Sequence, residues 1–175
     1  MSNKSTFEII DILTVLDIET ILQNQSPLSN TPYTATELQG NVVYMLTADK
    51  NAISGQGKSE LDIKADRGDV IRWRTVSVSD ESDYKAYIYA INYSEGADLL
   101  SGATPFSTTF DEPYPPQGWP KSTNELKDED RADFFWQTTA VGEGKATYQF
   151  IVAIYDRKKN LKGYVTWDPY ITISN

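Results

Sequence analysis

Lys145-Ala-Thr-Tyr-Gln-Phe-Ile-Val-Ala-Ile-Tyr-Asp156 decides the class of fold. Ala146, Tyr148, Phe150, Val152 and Ile154 recur at every second position and share one face, while Thr147, Gln149 and Tyr155 take the other. Alternation of this kind predicts a half-buried strand of an antiparallel sheet. Downstream, Asp156 to Lys162, with Asn160 at its centre, reads as a basic hairpin loop. Beyond it, Gly163-Tyr-Val-Thr-Trp-Asp-Pro-Tyr-Ile-Thr-Ile-Ser174 reads as strand, bend and strand. Val165 and Trp167 face one way, Pro169 denies the ladder one donor, and Ile171 and Ile173 supply a last buried strand.

Upstream, the same alternation predicts strands near 8–17, 41–48, 59–65, 69–78, 84–93 and 133–140, separated by Gly, Asn, Asp or Pro. In 69–78, Ile71 and Trp73 lie on one face and Arg72 and Arg74 on the opposite one, after a turn at Asp66-Arg67-Gly68-Asp69. Two stretches lack the pattern. Residues 23–40 read as a long polar loop. Residues 94–132 hold Pro105, Pro113, Pro115, Pro116 and Pro120 and read as a long Pro-rich acidic loop, in which Glu125 to Arg131 could form one helical turn. With no internal repeat and no second hydrophobic core, residues 1–175 are expected to form one all-β domain. Its expected form is an antiparallel two-sheet β-sandwich, Ig-like or jelly-roll-like, with at most short helices.

The chain has 175 residues, 25 acidic against 16 basic, a net charge of −9, no histidine and no cysteine. The two absences exclude a Ser-His-Asp triad, a thiol nucleophile, a Cys/His zinc site, a disulfide and a redox pair. The acidic balance argues against a nucleic-acid partner and against an anionic membrane surface. No apolar run reaches the roughly 18 residues of a membrane helix. The polar start, Met1 to Thr6, is no signal-peptide core, so the cytoplasm is the expected compartment. The Asn-x-Ser triplets at Asn3, Asn24 and Asn92 then carry no meaning as glycosylation sites. The charge is uneven: residues 1–22 carry a net −3 and residues 95–135 hold nine acids against three bases, while the rest of the chain is neutral.

Short motifs add little. Asp17-Ile-Glu-Thr20 matches the first motif of carboxylate-based exonucleases, but it also reads as a strand ending at an acidic turn. The acidic groups Ser79 to Asp83, and Asp128 to Asp130 with Asp133, could hold calcium through oxygen ligands or be exposed turns. Gly55-Gln-Gly57 reads as a turn between strands. A carboxylate- or metal-dependent hydrolase has no constellation to support it, so neither catalytic residues nor a cofactor other than calcium is expected. The aromatic residues say more. Phe110, Tyr114 and Trp119 sit in the Pro-rich stretch beside Asp111, Glu112, Gln117 and Asn124. Rings beside carboxylates and amides suit a carbohydrate platform, and the same rings could instead fold back to cap one end of the sandwich. The candidate binding residues are therefore Phe110, Asp111, Tyr114, Trp119 and Asn124.

Four segments occur together in order: Ile10-Asp-Ile-Leu-Thr-Val-Leu-Asp-Ile-Glu-Thr-Ile-Leu22, Ser54-Gly-Gln-Gly-Lys58 with Leu61, Gly68-Asp-Val-Ile-Arg-Trp-Arg74, and Trp167-Asp-Pro169 with Ile171 and Ile173. Together they resemble the AidA/PixA inclusion-body family of bacteria, over nearly the whole chain. The resemblance implies a cytoplasmic protein with no settled enzymatic activity. One branch of the family accumulates as inclusions and another is under quorum-sensing control and linked to host association. The methionine enrichment of some inclusion-forming members is missing, since only Met1 and Met45 are present. The expected partner is a second copy, forming a homodimer through strand edges and tyrosine-rich faces. A carbohydrate bound by the 105–124 segment in a lectin-like manner is the alternative.

Overall fold

The computed structural model describes residues 7–79, 83–120 and 125–175. Asn124, Met1 to Thr6 and the Asp80–Ser82 part of one acidic group therefore lie outside the described residues. In chain order the elements are β1 (Ile9–Leu16), helix α1 (Ile18–Gln25), β2 (Thr36–Glu37), β3 (Val43–Leu46), β4 (Ala52–Ser54), β5 (Asp62–Asp66), β6 (Val70–Ser77), β7 (Tyr84–Glu95), β8 (Thr104–Tyr114), β9 (Lys127–Thr139), β10 (Gly144–Asp156), β11 (Leu161–Trp167) and β12 (Tyr170–Ser174). They make a five-stranded sheet, β3-β1-β6-β9-β8, and a seven-stranded sheet, β2-β11-β10-β12-β5-β4 with β7 on the other side of β10.

The two sheets are mixed, which corrects the expectation of an antiparallel Ig-like or jelly-roll-like sandwich. β1 runs parallel to β6, β2 to β11 and β5 to β12. Parallel neighbours need a long crossover, and the chain between β1 and β6 supplies one by visiting the other sheet in β2, β4 and β5. Alternation records which face a side chain takes and is silent on strand direction.

Both inner faces meet in one apolar core. Ile10, Ile12, Leu16, Ile71 and Trp73 come from the five-stranded sheet, and Ala146, Tyr148, Phe150, Val152, Ile154, Trp167 and Ile171 from the seven-stranded one. At its centre the Trp73 indole N–H donates to the Tyr148 hydroxyl at 3.0 Å. The Trp73 ring lies 5.4 Å from Tyr148 and 6.2 Å from Phe150, and Phe150 lies 5.0 Å from Trp167. Burial holds the Tyr148 phenol far above its ordinary pKa, so it stays neutral. The Trp136 indole N–H adds a second tie between the sheets, donating to the Ile88 carbonyl at 2.9 Å.

The bend at Asp168-Pro169 divides the two strands without shifting register, since Phe150 faces Trp167 before it and Thr147 faces Tyr170 after it, and the Tyr148 N–H still donates to the Pro169 carbonyl at 3.2 Å. Gly55 makes a tight turn at φ +73°, where a Cβ would collide with the Glu60 carbonyl. Helix α1 falls at Asp17-Ile-Glu-Thr20. The Asp17 carboxylate caps it, accepting the Thr20 N–H at 3.1 Å and the Thr20 hydroxyl at 2.8 Å, while Ile18 and Ile21 are buried.

The greatest departure from expectation is at 94–132, where about half of the Pro-rich stretch is strand. β8 pairs with β9 over eleven consecutive positions, from Thr104↔Gln137 to Tyr114↔Lys127. Pro105 and Pro113 have the same parity. A ladder running unbroken past both puts their missing N–H groups on the side away from β9, which is open because β8 is an edge strand. The acidic run is likewise extended rather than helical, forming the start of β9.

Replacing Tyr148 with Phe removes the acceptor of the Trp73 indole with little change in volume. Urea unfolding is expected to show a loss of about 1–3 kcal/mol with an unchanged denaturant slope.

Candidate functional site

Because Trp73 points inward, its neighbours Arg72 and Arg74 must point outward. They stand on the solvent face of the five-stranded sheet. The register sets β1 Asp11 beside Arg72, and β9 Gln137 beside Arg72 on the other flank. The same parity carries Asp133 and Phe135 of β9, and Phe106, Thr108, Phe110, Glu112 and Tyr114 of β8, onto this face. Asp11, Arg72, Arg74, Phe106, Thr108 and Asp133 are among the residues lining a concavity of about 770 Å³ there.

Arg74 organises the centre. Its Nε and Nη2 reach the Asp133 carboxylate at 3.0 and 2.8 Å, and its Nη1 reaches Asp11 at 2.6 Å. Asp133, and then Asp11, hold the guanidinium above its ordinary pKa despite partial burial. Phe135 lies beneath both arginines, with the Arg72 guanidinium 5.0 Å and that of Arg74 4.8 Å from the ring centroid. Phe106 stacks on Phe135 at 5.5 Å with the planes 16° apart. Arg72 donates through Nε to Gln137 at 2.8 Å. Among the described residues it has no carboxylate partner.

Chemically the concavity offers a guanidinium pair fixed over a ring, a second ring beside it, and Thr108 at its margin. Both carboxylates at its centre are engaged by Arg74, so neither stands as a free acid or base. Along β9, Asp128 and Asp130 take one face while Glu129 and Asp133 take the other, which separates the acidic cluster. Among the described residues no group of acidic side chains is arranged to hold a metal ion.

Of the residues singled out from sequence, Phe110 lines the concavity and Tyr114 continues its row at the far end of β8. Asp111 has the opposite parity and faces away. Trp119 is in the turn after β8, its N–H bonded to the Pro116 carbonyl at 3.1 Å, apart from the concavity. Asn124 is outside the described residues. Asp133, read from sequence as part of an acidic group, stands here as a partner of Arg74, and Phe106, Phe135 and Asp11 were missed. The outward parity of Arg72 and Arg74 was a signal for them, but it needed β8 as a strand to be read.

A family model described as "PixA: Inclusion body protein" matches residues 8–173. Among solved structures, the crystal structure of the inclusion body protein PixA from Burkholderia cenocepacia J2315 is similar, with a TM-score of 0.79 and 21% identity, over 99% of this chain and 100% of that one. A cysteine protease inhibitor from Entamoeba histolytica aligns at a TM-score of 0.34 and 10% identity over 98% of this chain and 100% of that one. No curated protein sequence matches.

Arg74→Lys keeps the charge but loses the two-pronged contact with Asp133 and the simultaneous reach to Asp11. Thermal and urea unfolding are expected to show a loss of about 1 kcal/mol, held low by the half-exposed setting.

Proposed function

Given that the chain belongs to the PixA inclusion body protein family, we propose that it works without catalysis, by accumulating and associating with copies of itself. The observation that supports this reading is the uncovered solvent face of the five-stranded sheet. Ile9, Leu13, Leu46, Phe106, Phe110 and Tyr114 are exposed there, interleaved with the Asp11–Arg74–Asp133 ion pairs. Aromatic and aliphatic anchors around arginine, with charges already paired, are the composition of a protein interface. A chain without imidazole or thiol, whose central carboxylates are tied to Arg74, favours binding over chemistry. In the cell the protein would reside in the cytoplasm, concentrated in inclusions. Quorum-sensing control and host association belong to this reading as its setting.

A second reading has one observation in its favour. Phe106, Phe110 and Tyr114 form an exposed row with Thr108 and Glu112 between them, which would suit a carbohydrate whose C–H faces cover the rings.

Light scattering on a sizing column separates the two. Self-association is expected to give a mass that rises from monomer to dimer with concentration, and a strict monomer at the highest concentration reached would end that reading. Electron microscopy of producing cells is expected to show dense bodies. A glycan array run with and without calcium is expected to stay silent, and binding lost on Phe110→Ala would favour the carbohydrate instead.

A further inference from the structure

The β8–β9 ribbon projects beyond the sheet that anchors it. β9 pairs with β6 only through Trp136–Thr139, whereas the β8–β9 ladder runs on to Tyr114↔Lys127. Residues 127–132 are exposed throughout, and β8 is exposed along nearly its whole length. A two-stranded ribbon open on both faces is marginal by itself and gains stability from a third strand. Its free side is the outer edge of β8. There Pro105 and Pro113 have no N–H to offer, leaving Ser107, Thr109 and Asp111 as the outward donors between them.

The side chains of this edge are self-complementary. Phe106, Phe110 and Tyr114 fall at intervals of four residues, so β8 presents the same aromatic spacing when read in either direction from Phe110. We propose that two copies pair β8 to β8 antiparallel about a twofold axis at Phe110, resting on the self-association reading and naming its surface. In this register Phe110 faces its own copy, and Phe106 of each chain faces Tyr114 of the other. Thr109 and Asp111 face each other across the axis and exchange both their backbone bonds. The Ser107 N–H reaches the Pro113 carbonyl of the other chain, so every outward donor between the prolines is used. Asp111 meets Thr109 and Glu112 meets Thr108, so no carboxylate stands directly opposite another. Such an interface is isologous and closes at two copies. The aromatic pairs fall at the positions not joined by backbone bonds, where side chains approach most closely.

The absence of native cysteine makes the test direct. Phe110→Cys places two thiols across the axis on Cα atoms about 4.5 Å apart, within the span of a disulfide. Under mild oxidation it is expected to form a covalent dimer on a non-reducing gel. Thr108→Cys, whose thiols would be roughly 13 Å apart, is expected to stay monomeric on the same gel. Thr109→Pro removes one outward N–H at a position where, by the parity of Pro105 and Pro113, the β8–β9 ladder loses nothing. It is expected to raise the dimer dissociation constant at least about tenfold, while the melting temperature of the monomer, read well below that constant, is unchanged. Dimers by light scattering that neither cross-link at position 110 nor weaken in Thr109→Pro would overturn the β8 pairing while leaving self-association intact. A wild-type chain that stays monomeric would overturn both.

Discussion

The hydrogen bond from the Trp73 indole to the Tyr148 phenol, inside a buried aromatic cluster, fixes the two sheets against each other. Each ring comes from a different sheet and each is fully buried. Strand register has a period of two, so a slip of β6 by one residue would carry Trp73 to solvent and leave the Tyr148 hydroxyl buried without its donor. The bond therefore sets parity as well as distance. Parity in β6 is what turns Arg72 and Arg74 outward, so the arginine–aromatic concavity on one side of the sheet follows from the packing on the other. Trp167 extends the same lock, its indole N–H contacting the Met45 sulfur at 3.4 Å across the sheets.

Alternation made most of the strands legible. The stretches read at 8–17, 69–78, 84–93 and 145–156 agree with β1, β6, β7 and β10 to within a few residues at each end, and the bend at Pro169 divides β11 from β12 as the sequence suggests. Sheet order and direction were not legible, because parallel pairing depends on where the chain travels between strands. Helix α1 was missed, although Asp17 and Thr20 form its cap and Ile18, Ile21 and Leu22 have helical spacing. Its eight residues are too few for periodicity to outweigh the adjoining strand.

β8 departs from the sequence expectation because the parity of its prolines matters more than their number. Five prolines in 94–132 suggest irregular backbone, yet the two that fall within a strand, Pro105 and Pro113, occupy positions where an edge strand can do without a donor. With β8 read as a loop, its aromatic row could not be seen as one face. Phe110 and Tyr114 were found by composition, while Phe106 and the Phe135 ring it stacks on went unnoticed. Candidates chosen by residue type alone were divided by the fold: Asp111 faces away from Phe110, and Trp119 belongs to the following turn.

The same strand carries the features that restrain an exposed edge. An open strand is a template for indefinite pairing, and proteins restrain it with prolines and charge. Here the prolines confine the outward donors to Ser107, Thr109 and Asp111, too few to accept an arbitrary strand in an arbitrary register. Asp111, Glu112, Asp128, Glu129 and Asp130 place much of the net −9 on this ribbon, so a mismatched register brings carboxylates together and is penalised by their repulsion. Arg131 tempers that charge locally by holding Glu112 at 3.1 Å. The neutral balance of residues 23–94 and 136–175 leaves the net charge on the N-terminal stretch and on 95–135, the segment that holds this edge.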